Sequence, residues 1–245
     1  MEILDFLWQN LWWILLIVVA IAIFAGAWVA NFAYDSYAEK LEKALYTRAG
    51  FAGTIVDFAN TLSMRFFDGK IRTVIAPSDV NDGYYSPSAM TITLSPKVAR
   101  TNSIGGIAVV AHEFGHAAQQ FQNPNILINN HRLNKFVKFL GNLNWVIVIG
   151  TILACIFAGA IWALVGVGML ILNVFVAILL KYSTLRLEKN ASHRALKMLE
   201  DLNFFSPQEM MEIKKFLGFA KRTYTADLLS AILGWTGLVR RTKFF

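Results

Sequence analysis

Two long stretches of the chain carry no charge, and the rest of the pattern is arranged around them. Between Asp5 and Asp35 the residues read "FLWQNLWWILLIVVAIAIFAGAWVANFAY", and between Lys138 and Lys181 they read "FLGNLNWVIVIGTILACIFAGAIWALVGVGMLILNVFVAILL". A bilayer core asks for roughly 20 apolar residues in helical form, so the first run has the length of one span. As one helix, at about 1.5 Å per residue, the second would reach about 60 Å, so it is expected to fold back on itself. Gly159, Gly166 and Gly168 mark where the turn could sit.

The remaining segments have helical or strand character. Residues 35–49 read as a charged amphipathic helix, and residues 50–70 as a second helix with Ile55, Phe58, Ala59 and Leu62 at helical spacing. The period then changes. Turn residues (Pro77, Asp82-Gly83, Ser86-Pro87) flank "IRTVIA" and "MTITL", which predicts a small β-hairpin. A helix over about residues 103–121 follows, with Asn102 or Ser103 as its cap. Beyond the second apolar run, "STLRLEKNASHRALKMLEDLN" is strongly helical. "SPQEMMEIKKFLGFAKR" then opens with Ser206 as N-cap, Pro207 at the first helical position and Glu209 completing a capping box. Residues 224–239 are apolar but short for a span, which favours an interfacial or core-packed helix.

Composition sharpens this picture. The chain is 56% hydrophobic and only 16% charged, with mean hydropathy +0.48, where a soluble domain carries about 25% charged residues. Glu2 and Asp5 lead the first run with no Lys or Arg before it, which favours an uncleaved anchor over a signal peptide. The formal charge of +7 does not point to nucleic acid, because the basic residues flank the apolar runs: Lys40, Lys43 and Arg48; Arg132, Lys135 and Lys138; Lys181, Arg186 and Lys189; Arg240, Arg241 and Lys243. That is the positive-inside pattern of loops kept in the cytosol. Cys155, inside an apolar run, is neither a disulfide partner nor a zinc ligand, and the Trp12-Trp13 pair suits an interfacial belt. The runs hold Asn142, Asn144 and Asn173 but no ionisable residue, which leaves ion-coupled transport little to work with.

The chemistry is concentrated in "VVAHEFGHAAQQ", residues 109–120. Helical positions i and i+4 share a face, so His112 and His116 can present their imidazoles to one metal ion, with Glu113 beside them to take a proton from water. In a chain with only 4 His, chance yields this pattern on the order of 0.002 times. Imidazole suits zinc, and a catalytic zinc has three protein ligands and one open position. Candidates for the third ligand are His131, His193, Glu188, Glu200, Asp201, Glu209, Glu212 and Asp227. If residues 139–180 form a hairpin of two spans, Glu188 returns to the side of the two histidines.

"HEFGH", followed beyond a hairpin by "EKNASHRAL", resembles the neutral zinc metallopeptidases of bacterial membranes, and more distantly the heat-shock and CAAX-prenyl membrane zinc proteases. The likeness extends to "YYSPSAMTITLS" before the motif and "TYTADLLSAI" in the tail. It implies Glu188 as third ligand of a single Zn2+. The second motif of the distant relatives runs E-x-x-A-D, and Ser192 stands here in place of its Asp. Ser192 and Asn190 are then the candidates to hydrogen-bond the ligands. The implied fold is mainly α: a multi-pass membrane protein with a zincin-like α+β catalytic part in which a small β-hairpin lies beside the motif helix. Its parts are an N-terminal anchor over 7–34, a cytosolic catalytic part over 35–138, a transmembrane hairpin over 139–181, and the third-ligand and C-terminal helices over 182–245.

The expected activity is a zinc endopeptidase of the bacterial plasma membrane, with its site at the cytosolic face. It would cut membrane or membrane-proximal polypeptides with Glu113 as general base. An extended substrate could add to the edge of "MTITLS". Tyr224 is the candidate oxyanion partner, with Tyr84 and His131 open, while His193 and Arg194 are rotated away from Glu188. The alternative is a catalytically silent zinc scaffold at the membrane, against which the intact Glu113 argues.

Overall fold

The computed structural model describes residues 48–78, 82–157 and 160–218, with scattered helical positions between 25 and 44. Most of the expected 7–34 anchor and all of residues 219–245 lie outside the described residues. In chain order the elements are α1 (Ile55–Phe67), β1 (Arg72–Ile75), β2 (Gly83–Ser86), β3 (Thr91–Leu94), α2 (Pro96–Ala99), α3 (Ile104–Gln122), α4 (Asn125–Phe157) and α5 (Ala160–Leu202). Residues 207–218 are helical again.

Local chemistry sets the helix ends. Thr54 caps α1 with its side chain accepting from the Asp57 N–H, and the Asp57 carboxylate accepts in return from the Thr54 N–H at 2.8 Å. Asp68 ends α1 in the left-handed region at φ 53°. Of the two caps considered for the motif helix, Ser103 is the one used: its hydroxyl accepts from the Gly106 N–H at 3.0 Å. At residue 206 the capping box forms, with Glu209 accepting from the Ser206 N–H at 2.9 Å. Glu209 also accepts from the Gly50 N–H at 2.6 Å, which ties the C-terminal helix to the segment before α1. Each bond to the charged carboxylate is worth about 1.5–3 kcal/mol where it is shielded from water, and less at this exposed position.

The sheet corrects the expected hairpin. The two β-rich runs do form strands, but β1 and β3 pair in parallel, with Thr73 opposite Ile92 and Ile75 opposite Leu94. The antiparallel partner of β3 is a third strand, β2, in the register Tyr84–Thr93 and Tyr85–Ile92. The order is β1-β3-β2, so the "MTITL" strand is central and has no free edge to offer a substrate. Parallel neighbours cannot be joined by a tight turn, and here the connecting chain is used to insert β2.

The core lies between the sheet and the helices. Phe58, Leu62, Ile92, Leu94, Ile107 and Phe114 are all fully buried. Burying a side chain of this size is worth about 1.5–3 kcal/mol. Phe67 and Phe114 pack at 5.4 Å between ring centroids, and Phe58 meets Phe205 edge-on at 5.8 Å. Helix α3 runs through the middle, touching α1, β2, β3, α4 and α5. Every residue from Ile104 to Gly115 is buried.

The multi-pass expectation is also corrected. Among the described residues, no helix is long and apolar enough to cross a membrane. The long apolar run is divided between α4 and α5, and each helix shares its length with a charged stretch: Arg132, Lys135 and Lys138 in α4, and Lys181, Arg186, Glu188 and Lys189 in α5. The run does divide into two helices, as its length requires, but the charged residues that each helix carries leave neither with the apolar length of a span. The fold is mostly helical with one small three-stranded sheet.

Candidate functional site

The site is built where α3 crosses α5. At that crossing Gly115 has no room for a side chain: a Cβ there would stand 2.2 Å from the Ala191 carbonyl oxygen and 2.9 Å from its carbon. Glycine on one helix and the fully buried Ala191 on the other let the two backbones touch. Glu188 and Ser192, one turn before and one residue after Ala191, are thereby carried onto the face of α3 that presents His112 and His116.

The geometry that results is tight. One carboxylate oxygen of Glu188, Oε2, lies 3.1 Å from His112 Nε2 and 3.2 Å from His116 Nε2. The imidazole centroids are 4.8 Å apart and nearly perpendicular. The donor atoms of the three residues all fall within 4.8 Å of one another. A tetrahedral ion with bonds of about 2.0–2.1 Å spaces its ligands roughly 3.3 Å apart, so two imidazoles and a carboxylate at these separations fit a zinc ion.

Glu113 sits behind the pair on the sheet side. It is 4% exposed, and its Oε2 accepts from the Tyr85 backbone N–H of edge strand β2 at 2.7 Å. Burial raises its pKa, and the charge of Glu188 adds to the rise. His116, His112 and the Tyr85 N–H oppose it without cancelling it. For Glu188 burial also disfavours the charge. There, however, the His116 charge and the hydrogen bonds from both imidazoles outweigh it and hold the carboxyl well below the usual range. Burial likewise works against a charged His116, but the Glu188 carboxylate, and then Glu113 and Gln119, lift its pKa to about 9.

Around this centre the structure separates the expected residues. The Ser192 hydroxyl is 3.2 Å from His112 Nδ1. The Asn190 Oδ1 accepts from Gln119 Nε2 at 3.0 Å and from Arg194 Nε at 2.7 Å. Arg194 is further held by Gln122 Oε1 at 2.6 Å, and His193 is exposed. Tyr84 lies on the sheet face opposite Gly83 and Tyr85 and is 47% exposed, turned away from α3. Tyr224 and the side chain of His131 lie outside the described residues.

The sequence reading missed Gln119. Its Oε1 is 3.0 Å from His116 Nδ1, and its Nε2 is 2.7 Å from the Leu187 carbonyl oxygen. Its position three residues after His116, on the face of α3 that carries the histidines, was the available signal.

The chain was compared with known proteins. The model of a family described as "Putative neutral zinc metallopeptidase" matches residues 11–242. A curated protein of Bacillus subtilis (strain 168), named "Putative membrane protease YugP", is 29% identical over 149 residues, 61% of this chain and 63% of the relative. The aligned part thus spans less than two thirds of that protein's length. No solved structure gives a significant match. A family match over nearly the whole chain, together with a buried His112, His116 and Glu188 cluster that could hold a metal ion, leads to one assignment: the chain belongs to the neutral zinc metallopeptidase family.

Proposed function

We propose that the chain is a zinc-dependent endopeptidase acting on membrane-proximal polypeptides at the cytosolic face, with one Zn2+ held by His112, His116 and Glu188. The observation that carries this reading is the single Glu188 oxygen within 3.1 and 3.2 Å of both imidazole Nε2 atoms. When bound, zinc would act as a Lewis acid and bring the pKa of water toward about 7. Glu113 is the general base. Its burial and raised pKa suit it to accept a proton from the attacking water and hand it to the leaving nitrogen. The Tyr85 N–H holds that carboxylate in one orientation. Ser192 orients His112, and Asn190 acts at one remove from the ligands. An extended substrate docks along edge strand β2, since β3 is enclosed on both sides. The name of the Bacillus subtilis relative supports a place of action at or near a bilayer.

The test is zinc content of wild type and Glu188→Gln, paired with cleavage of an unstructured protein by wild type and Glu113→Gln. Zinc lost with Glu188→Gln, and turnover down by about 10²–10⁴ with zinc retained in Glu113→Gln, is the expected result. Bound zinc with no cleavage of any test protein would favour a silent zinc scaffold instead.

A further inference from the structure

Taking the zinc site above as given, we infer that Gln119 is a positioning residue that fixes which nitrogen of His116 faces the metal. The inference rests on hydrogen-bond polarity. Amide and imidazole orientations are ambiguous on shape alone, but here the chain of partners leaves one solution. An arginine guanidinium only donates. Arg194 Nε lies 2.7 Å from the Asn190 side-chain amide, so the Asn190 atom at that point is its oxygen. The Gln119 amide approaches the same oxygen at 3.0 Å and the Leu187 carbonyl oxygen at 2.7 Å. Both are acceptors, so Gln119 must turn its NH₂ group toward them.

The other end of the Gln119 amide is then its oxygen, 3.0 Å from His116 Nδ1. An amide oxygen only accepts, so Nδ1 carries the hydrogen. Nε2, 3.2 Å from Glu188, is then the nitrogen whose lone pair would be left for the zinc once its hydrogen bond to that carboxylate is given up. Two anchors, the Leu187 carbonyl and Asn190, make the same demand, so the polarity does not hang on one contact. Gln119 is 2% exposed, which keeps water from offering a competing partner. The Leu187 carbonyl is also the backbone immediately before Glu188. The Gln119 amide therefore ties the orientation of one ligand on α3 to the segment of α5 that carries the third. The arrangement at His112 differs, because the Ser192 hydroxyl can donate or accept and imposes no such polarity.

The experiment uses the full chain, isotope-labelled at histidine nitrogen and loaded with NMR-active cadmium. Cadmium–nitrogen coupling at His116 Nε2, with a slowly exchanging hydrogen on Nδ1, is the expected result. Coupling at Nδ1 would overturn the inference while leaving the zinc site standing. A chain that takes up neither cadmium nor zinc would overturn the site itself. In chelator competition, Gln119→Met should bind zinc about 10–100-fold more weakly and lose the protected Nδ1 hydrogen. His193→Ala, at an exposed position of α5, should retain both properties. Wild-type zinc affinity in a folded Gln119→Met would refute the role. If that variant does not fold, the wild-type coupling pattern still decides.

Discussion

Replacing Gly115 with alanine tests whether the helix crossing, and not the ligands alone, makes the site. The added Cβ would stand 2.2 Å from the Ala191 oxygen, 2.9 Å from its carbonyl carbon and 3.1 Å from its Cα. Unstrained contacts lie at about 3.5 Å, so α3 and α5 must part by about 1 Å. All three obstructing atoms are backbone and cannot rotate aside. Overpacking of this kind costs about 1–3 kcal/mol, and the higher helix propensity of alanine returns about 1 kcal/mol. The net loss of stability is therefore modest, about 0–2 kcal/mol. The site suffers more, because Glu188 and Ser192 move with the displaced segment of α5. A misplacement of about 1 Å can cost about 10²-fold in rate. Thermal unfolding, zinc affinity and peptide turnover should be measured together, and the expected signature is a functional loss well beyond the change in stability. Gly106→Ala is the control: its Cβ would meet only side-chain atoms, Ile55 Cδ1 at 2.9 Å and Cγ1 at 3.0 Å and the capping Ser103 Oγ at 3.1 Å, with no contact to α5, so stability falls but zinc and turnover should persist. A Gly115→Ala protein with wild-type zinc affinity and turnover would refute the argument.

Two further outcomes are expected. Ser192→Ala removes a single 3.2 Å contact to His112, so zinc affinity should fall toward the lower end of the usual range, about 10-fold, in the same chelator assay. Glu209 is stabilised as a carboxylate by the Ser206 N–H, then by the Gly50 N–H, which hold its pKa below the ordinary glutamate value. A depressed folded-state value means that this contribution is present above the unfolded-state pKa of about 4.3 and is lost as pH falls through the lower folded value. Denaturation monitored across that acid range should therefore be flatter in Glu209→Gln than in wild type, and an identical acid limb would show that the two N–H bonds contribute nothing.

The histidine pair and several caps depend on short-range order, and those could be read along the chain. The i, i+4 spacing of His112 and His116, the Ser206–Glu209 box and the helical face of Ile55, Phe58 and Leu62 all follow from a 3.6-residue period and from local hydrogen bonds. Relations across the chain were not legible in the same way. Hydrophobic alternation marks "IRTVIA" and "MTITL" as strands but does not say which partner each takes, so a parallel pair with an inserted β2 replaced the hairpin. An apolar run has a length but no ends, so a run divided between α4 and α5 was taken for membrane spans. Glycine at 115 is one small residue of the motif along the chain, and only the fold shows that it lies against the Ala191 backbone. Gln119 is one polar letter among several until α5 brings Leu187 and Asn190 against it. Sequence by itself determined the residue types and the local geometry of the candidate ligands, because those interactions span one or two helical turns. Tertiary structure decided which carboxylate meets the imidazoles, because a contact between residues 112 and 188 depends on how two helix backbones pack, and no local periodicity encodes that.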